Sequence, residues 1–160
     1  MCDNSCFCEN KQDTIDKSLD KTCIFCTIAK GDDRYTEILA EDEDFVCFRD
    51  INPGAPHHYL VIPKKHIYSC LSLYADDISL VRGMAEMGRN VLKANNVTDL
   101  KDISLGFHVP PYITVPHLHL HVLAPYSQLY KWAINKFRTN WYINEEKTVE
   151  ILMKGKTQMV

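Results

Sequence analysis

Only six glycines are spread over this 160-residue chain, and none is grouped into a glycine-rich turn that could cradle a phosphate. Phosphate recognition would have to come from side chains and local backbone donors. No apolar run approaches the ~20 residues that a bilayer span needs, and Met1 to Lys21 has no apolar stretch of the signal-peptide kind. Basic excess is also missing. Lys and Arg number 18 against 21 Asp and Glu, a formal charge of -3 with a pI near 6.1. That balance gives no bulk attraction to nucleic acid or to an anionic membrane. No internal repeat is visible. The hydrophobic content of 46% and charged content of 24% describe an ordinary soluble globular chain. Its length suits one domain with its own core.

Cysteine is not scarce, but its count is odd. Of seven, Cys2, Cys6 and Cys8 sit in a polar N-terminal stretch. This usage points to a reducing compartment, the cytoplasm or nucleus, rather than to a disulfide framework. The three tail thiols could bind a metal or be acylated, or be merely solvated. Residues 1–21 are expected to be a disordered polar tail and 156–160 a second tail. Between them, 22–155 should fold, with 126–155 packed on the rest.

Ile24 to Lys30 predicts a short helix stopped by Gly31. Thr36 to Ala40 and Phe45 to Arg49 predict two strands across an acidic turn, and Tyr59 to Ile62 predicts a buried strand after the Asn52-Pro53-Gly54-Ala55-Pro56 loop. In Ala75 to Asn95, residues Ile78, Val81, Met84, Ala85, Gly88, Val91 and Leu92 recur at helical spacing, so one long helix is expected there. Ile103 to Val109 predicts a further strand. After Pro125, Trp132, Phe137, Trp141, Tyr142, Val149, Ile151 and Leu152 predict one or two short helices packed on the sheet. The class is α+β, with about five mostly antiparallel strands, one long helix and short flanking helices.

The most informative stretch is His117-Leu118-His119-Leu120-His121-Val122-Leu123. Its period of two predicts a strand with three imidazoles along an exposed face and Leu118, Leu120 and Val122 in a core. Such a row suits an anion, a metal or a covalent intermediate. A neutral imidazole attacks phosphorus well and leaves again once its ring is charged. Flanking imidazoles can meanwhile donate to the phosphoryl oxygens. Three histidines could instead hold a catalytic zinc, or simply titrate on a wet strand. Alternate side chains on a flat strand stand roughly 6.5–7 Å apart, a span better matched to a phosphate than to one ion.

The heptad from His117 to Leu123 resembles the signature of the histidine triad (HIT) nucleotide hydrolases and transferases. Cys23-Ile24-Phe25-Cys26, the Phe48-Arg49-Asp50-Ile51-Asn52-Pro53 turn and the run from His58 to His66 also resemble that family, in the expected order. The similarity covers roughly residues 22 to 125 and is strongest to the Hint branch. Gly106-Phe107-His108 and the Trp-rich segment also resemble the HIT domain of aprataxin. The resemblance implies a HIT fold in which His119 is the nucleophile that becomes nucleotidylated. His121 and His58 are implied as phosphate-side donors, and His117 as a positioning group. Asp50 is implied to accept from both ribose hydroxyls; the alternative is an Asp that caps the turn. Phe25, Ile28, Phe48, Ile51 and Leu60 match the purine pocket, and Thr114 matches a hydroxyl residue that assists the leaving group. Pro110-Pro111 and Pro116 depart from the usual pattern around Thr114.

Many relatives hold a structural zinc at positions matching Cys23, Cys26, His66 and His117, a Cys2His2 set; others keep no metal, leaving two small thiols on a helix. No cofactor is expected for catalysis. The implied function is hydrolysis of adenosine 5′-monophosphoramidates and acyl- or aminoacyl-adenylates to AMP, with a purine nucleotide as substrate. One alternative is deadenylation of 5′-adenylated nucleic acid, as by aprataxin. The absence of Cys and His after His121, and the negative balance, count against that finger-bearing type and against a nucleic-acid partner. A scaffold role is the other alternative. The resemblance implies a homodimer, commonly made through the long helix and an adjoining strand, or a higher homo-oligomer; no membrane partner is expected. His57 and His108 receive no role.

Overall fold

The computed structural model describes residues 22–155; the expected tails, with Cys2, Cys6 and Cys8, lie outside the described residues. Helix α1 (Ile24–Ala29) precedes β1 (Ile38–Glu41), β2 (Phe45–Arg49) and β3 (His57–Pro63). Next come the long helix α2 (Ile78–Ala94), β4 (Ser104–His108), β5 (Leu120–Ala124), α3 (Lys131–Phe137), β6 (Tyr142–Asn144) and α4 (Glu145–Met153). The strands form one antiparallel sheet in the order β1-β2-β3-β5-β4-β6. This is the α+β class expected, with six strands where five were anticipated.

Alternation along the strands splits the buried side chains between the two faces. Phe45, Cys47, Tyr59, Val61, Leu105, Phe107, Leu120, Val122 and Ile143 point to one face, where Val81, Met84, Ala85, Val91 and Leu92 of α2 and Val149 and Leu152 of α4 cover them. The 3.6-residue period of α2 is what supplies that apolar stripe. The long helix is shorter than its pattern suggested, because Ala75–Asp77 forms a 3-10 turn and α2 proper starts at Ile78. Asn95 and Asn96 end it, the latter left-handed at φ 64°. On the opposite face lie two smaller clusters. One joins α1 to Val46, Phe48, Leu60 and Ile62. The other joins Ala55, Leu123 and Leu129 to Ala133 and Phe137 of α3.

The segment after Pro125 departs from a purely helical reading. Tyr142–Asn144 pairs with β4 through Gly106↔Asn144, Phe107↔Ile143 and His108↔Tyr142. Three residues carry no readable period, so only the open edge of β4 makes them a strand. Gly106 is what lets Tyr142 lie across that edge: a Cβ there would come within 2.6 Å of the Tyr142 ring and of the Ile143 carbonyl. α4 then returns to α2, where Arg89 Nη2 meets Glu145 Oε2 at 2.5 Å. The outer edge of β4 and one flank of the long helix are therefore taken by the chain's own C-terminal segment.

Candidate active site

The histidine segment differs from expectation in two respects. β5 begins at Leu120, so His117 and His119 lie in the extended approach to it, tied down by the Leu118 N–H donating to the Ile67 carbonyl at 2.7 Å. The expected open face is also closed: His117, His119 and His121 are all buried. The clusters around α1 and α3 flank the row and shut out water. Paired residues share a face across the sheet, so Phe48, Leu60, His121 and Gly106 form one line through the site.

His119 keeps 9% exposure, with its ring edge-to-face to Phe25 at 5.2 Å and to His121 at 5.0 Å. Its Nδ1 lies 2.7 Å from the carbonyl oxygen of His117. A carbonyl only accepts, so Nδ1–H donates and a neutral ring keeps its lone pair on Nε2. Burial pushes the His119 pKa down to about 4, against the opposing pull of that hydrogen bond. The ring is thus held neutral and fixed in orientation at ordinary pH.

His117 is turned the other way. Its Nε2 donates to the Pro63 carbonyl at 2.9 Å, leaving the Nδ1 lone pair facing Cys23 Sγ and Cys26 Sγ, each at 3.4 Å. Cys26 Sγ is 3.0 Å from His66 Nδ1. All four ligand atoms lie within 4.8 Å of one another. Tetrahedral zinc with bonds of ~2.0–2.3 Å spaces its ligand atoms roughly 3.5 Å apart, so this donor set fits such an ion in type and spacing. The three triad imidazoles do not converge, since His117 belongs to the thiol corner and His121 faces His58. A catalytic zinc held by the triad alone has no basis in this geometry.

On the other side of His119, Nε2 of His58 is 2.9 Å from Nδ1 of His121, and Nε2 of His121 is 3.1 Å from Nδ1 of His108. Phe137 of α3 packs its ring edge against His58 at 5.4 Å and against His121 at 5.1 Å. Gly54 makes this closure possible, for a Cβ there would sit 2.9 Å from Ala133 Cβ. Burial lowers His58 to about 3, holds His121 well below the usual histidine range and lowers His108, with the Lys136 ammonium adding to each. Asp50 divides its oxygens. Oδ1 accepts from the Asn52 N–H at 2.8 Å, the turn-capping contact, while Oδ2 lies 3.3 Å from His58 Nε2. Burial raises the Asp50 pKa, opposed by the Asn52 N–H and the Lys136 ammonium.

Of the residues expected around a base, Phe25, Ile28, Phe48 and Leu60 form one buried cluster beside His119. Ile51 is different, standing 93% exposed on the loop after Asp50. Thr114 is exposed on the 109–117 loop, while its neighbours Ile113 and Val115 line a small cavity with His108 and His119. His57 lies on the opposite sheet face and pairs with the Tyr59 hydroxyl at 2.8 Å. Sequence reasoning missed His108, Gly54 and Phe137. The two-residue step from Gly106 to His108 places His108 on the histidine face and could have signalled it; nothing local marks Gly54 or Phe137.

A six-stranded antiparallel sheet with this buried histidine row defines the class: the chain belongs to the histidine triad family. Residues 22–135 match the family described as scavenger mRNA decapping enzyme C-term binding. The chain is similar to adenosine 5′-monophosphoramidase HINT3 of Danio rerio, at 99% identity over 160 residues and all of both chains. To the protein of the same name from Xenopus tropicalis it is 48% identical over 137 residues, 84% of this chain and 90% of that one. Among solved structures, a HIT family hydrolase from Legionella pneumophila superposes with a TM-score of 0.59 at 35% identity, covering 64% of this chain and 91% of that one.

Proposed function

We propose that this chain hydrolyses adenosine 5′-monophosphoramidates and acyl- or aminoacyl-adenylates to AMP. The observation that carries the reading is the 2.7 Å hydrogen bond from His119 Nδ1–H to the His117 carbonyl, which leaves Nε2 as a buried lone pair. Nε2 attacks the α-phosphorus, a bond from nitrogen to phosphorus forms, and the bond to the leaving amine or carboxylate breaks, the amine taking up a proton from solvent as it departs. Charge on the histidyl–AMP ring is stabilised by the donated Nδ1–H bond. Water then displaces the ring and releases AMP. His121 and His58 serve the phosphoryl oxygens, Asp50 Oδ2 the ribose hydroxyls, and Phe25, Phe48, Ile28, Leu60 and the exposed Ile51 the base. Thr114, on the loop before the triad, serves the leaving group.

A structural zinc completes the proposal, held by Cys23, Cys26, His66 and His117. It would tie α1 to the start of β5 and take no part in catalysis. We assign a purine nucleotide as the partner, and the cytoplasm, with the nucleus as a second site, as the compartment. Among the described residues no helix is long and apolar enough to cross a membrane. A homodimer remains part of the reading, although not through the β4 edge, which β6 fills. The test is release of AMP by the purified chain from an AMP phosphoramidate, an acyl-AMP and 5′-adenylated DNA. Turnover confined to the DNA would replace this reading with the aprataxin-like one.

A further inference from the structure

The imidazoles of His58, His121 and His108 form one hydrogen-bonded series, and each end meets a backbone group of fixed character. The Gly54 N–H can only donate, so Nδ1 of His58, 2.9 Å away, presents a lone pair. The Lys136 carbonyl can only accept, so Nε2 of His108, 2.8 Å away, carries a proton. Between these ends, the 2.9 Å and 3.1 Å links admit one arrangement of neutral rings. Each ring holds its proton on Nε2 and donates to Nδ1 of the next. One extra proton, or one switched tautomer, would set two N–H groups against each other at some link.

The far end depends on α3. Near the C-terminus of a helix, carbonyls lack partners within the helix. In α3 the Ile134 carbonyl accepts from the Arg138 N–H and the Phe137 carbonyl from the Tyr126 hydroxyl. The Lys136 carbonyl takes the proton of His108. His58 cannot set the series alone, because Asp50 Oδ2, 3.3 Å from its Nε2, offers that proton a second acceptor. The ring of His121 is therefore governed from the His108 side.

We propose that His108 is a positioning residue for the hydrolysis. By accepting from His121 Nε2–H and donating onward to the Lys136 carbonyl before the nucleotide enters, it fixes His121 as the neutral Nε2–H tautomer, the one whose N–H turns from His108 to a phosphoryl oxygen when the phosphate arrives. This rests on the role given to His121 above. It also makes the C-terminal segment part of the site, since α3 supplies the terminal acceptor.

Two measurements on the full chain decide it. Ring ¹⁵N NMR at pH 7 should show His58, His121 and His108 as Nε2–H tautomers; a His121 found as Nδ1–H or doubly protonated overturns the proposal. In steady-state assays with AMP phosphoramidate, His108→Phe keeps a ring without an acceptor. It should lower kcat roughly five- to tenfold, the worth of one neutral hydrogen bond, with KM within about twofold. His108→Asn, whose Oδ1 can stand near the place of Nδ1, should recover most of that loss. A folded His108→Phe with unchanged kcat overturns the role. If His108→Phe fails to fold, the ring tautomers of the wild-type chain decide alone. A wild-type chain with the expected tautomers and no hydrolysis overturns the phosphoramidase reading instead, and with it the catalytic use of the series.

Discussion

Two corners of the molecule use histidines from the same short segment for opposite purposes. At one, His117 turns a lone pair toward the thiols of Cys23 and Cys26, with His66 completing the group. At the other, His121 spends both ring nitrogens on other imidazoles. His119 lies between and keeps one nitrogen uncommitted by any backbone bond. Three identical side chains at two-residue steps thus meet three different sets of partners, His117 and His121 with the proton on Nε2 and His119 with it on Nδ1. Backbone carbonyls make much of the difference: Pro63 takes a proton from Nε2 of His117, and His117 takes one from Nδ1 of His119. Chemistry here follows from the partner of each nitrogen rather than from residue type.

The sharpest way to break the contrast is at its centre. His119→Ala should lower kcat by roughly three orders of magnitude or more while AMP binding and folding persist, because the lost bond exists only during reaction. Acid-labile AMP should be trapped on the wild-type chain and not on the variant. Near-normal turnover by His119→Ala would remove the mechanism.

The thiol corner should respond in stability rather than rate. Stripping zinc with a chelator should cost about 3 kcal/mol of unfolding free energy, the linkage value when free metal stands near a hundredfold over its Kd. Activity per folded molecule should survive, and Cys26→Ser should reproduce the loss. Inactivation by chelator with the fold intact would shift catalysis onto the metal.

Asp50 borders the imidazole corner and should act through substrate. Asp50→Ala should raise KM for adenosine substrates by the equivalent of about 2–3 kcal/mol and barely affect 2′,3′-dideoxy analogues. Equal loss with both would leave only the turn contact to Asn52.

The last effect accumulates gradually, in pH dependence. His58 is lowered from 6.5 to about 3, and His121 and His108 are lowered too, by burial first. The unfolded chain binds protons below pH 6.5 that the folded one refuses. Stability is therefore complete above about 6.5 and falls as pH drops toward 3, by up to about 1.4 kcal/mol per pH unit for each imidazole. Urea midpoints at pH 7, 5.5 and 4.5 would show the slope; a flat profile down to pH 5 would mean that these rings are not held neutral.

Periodicity made most of the sheet and the long helix legible, because it records which side of a strand or helix must leave water. Phe45–Arg49 and the stripe of Val81, Met84, Ala85, Val91 and Leu92 were read from local pattern alone. β6 was not, since a three-residue strand exists only where an edge offers unpaired hydrogen bonds. The exposed histidine face was expected because its covering comes from α1 and α3, distant in sequence. His117 is 94 residues from Cys23, and His108 lies 28 before Lys136.

By itself the sequence determined the α+β class, the spacing of the triad, the Cys23–Cys26 pair and a charge balance without bulk attraction to nucleic acid. Those follow from side-chain periods and composition, which are local quantities. Only the tertiary structure decided which nitrogen of each histidine carries its proton, that the triad is buried, and that α3 and β6 help build the site. A tautomer is set by the donor or acceptor facing it, and burial by whatever covers it. Apart from the His117 carbonyl that faces His119, those partners come from distant parts of the chain.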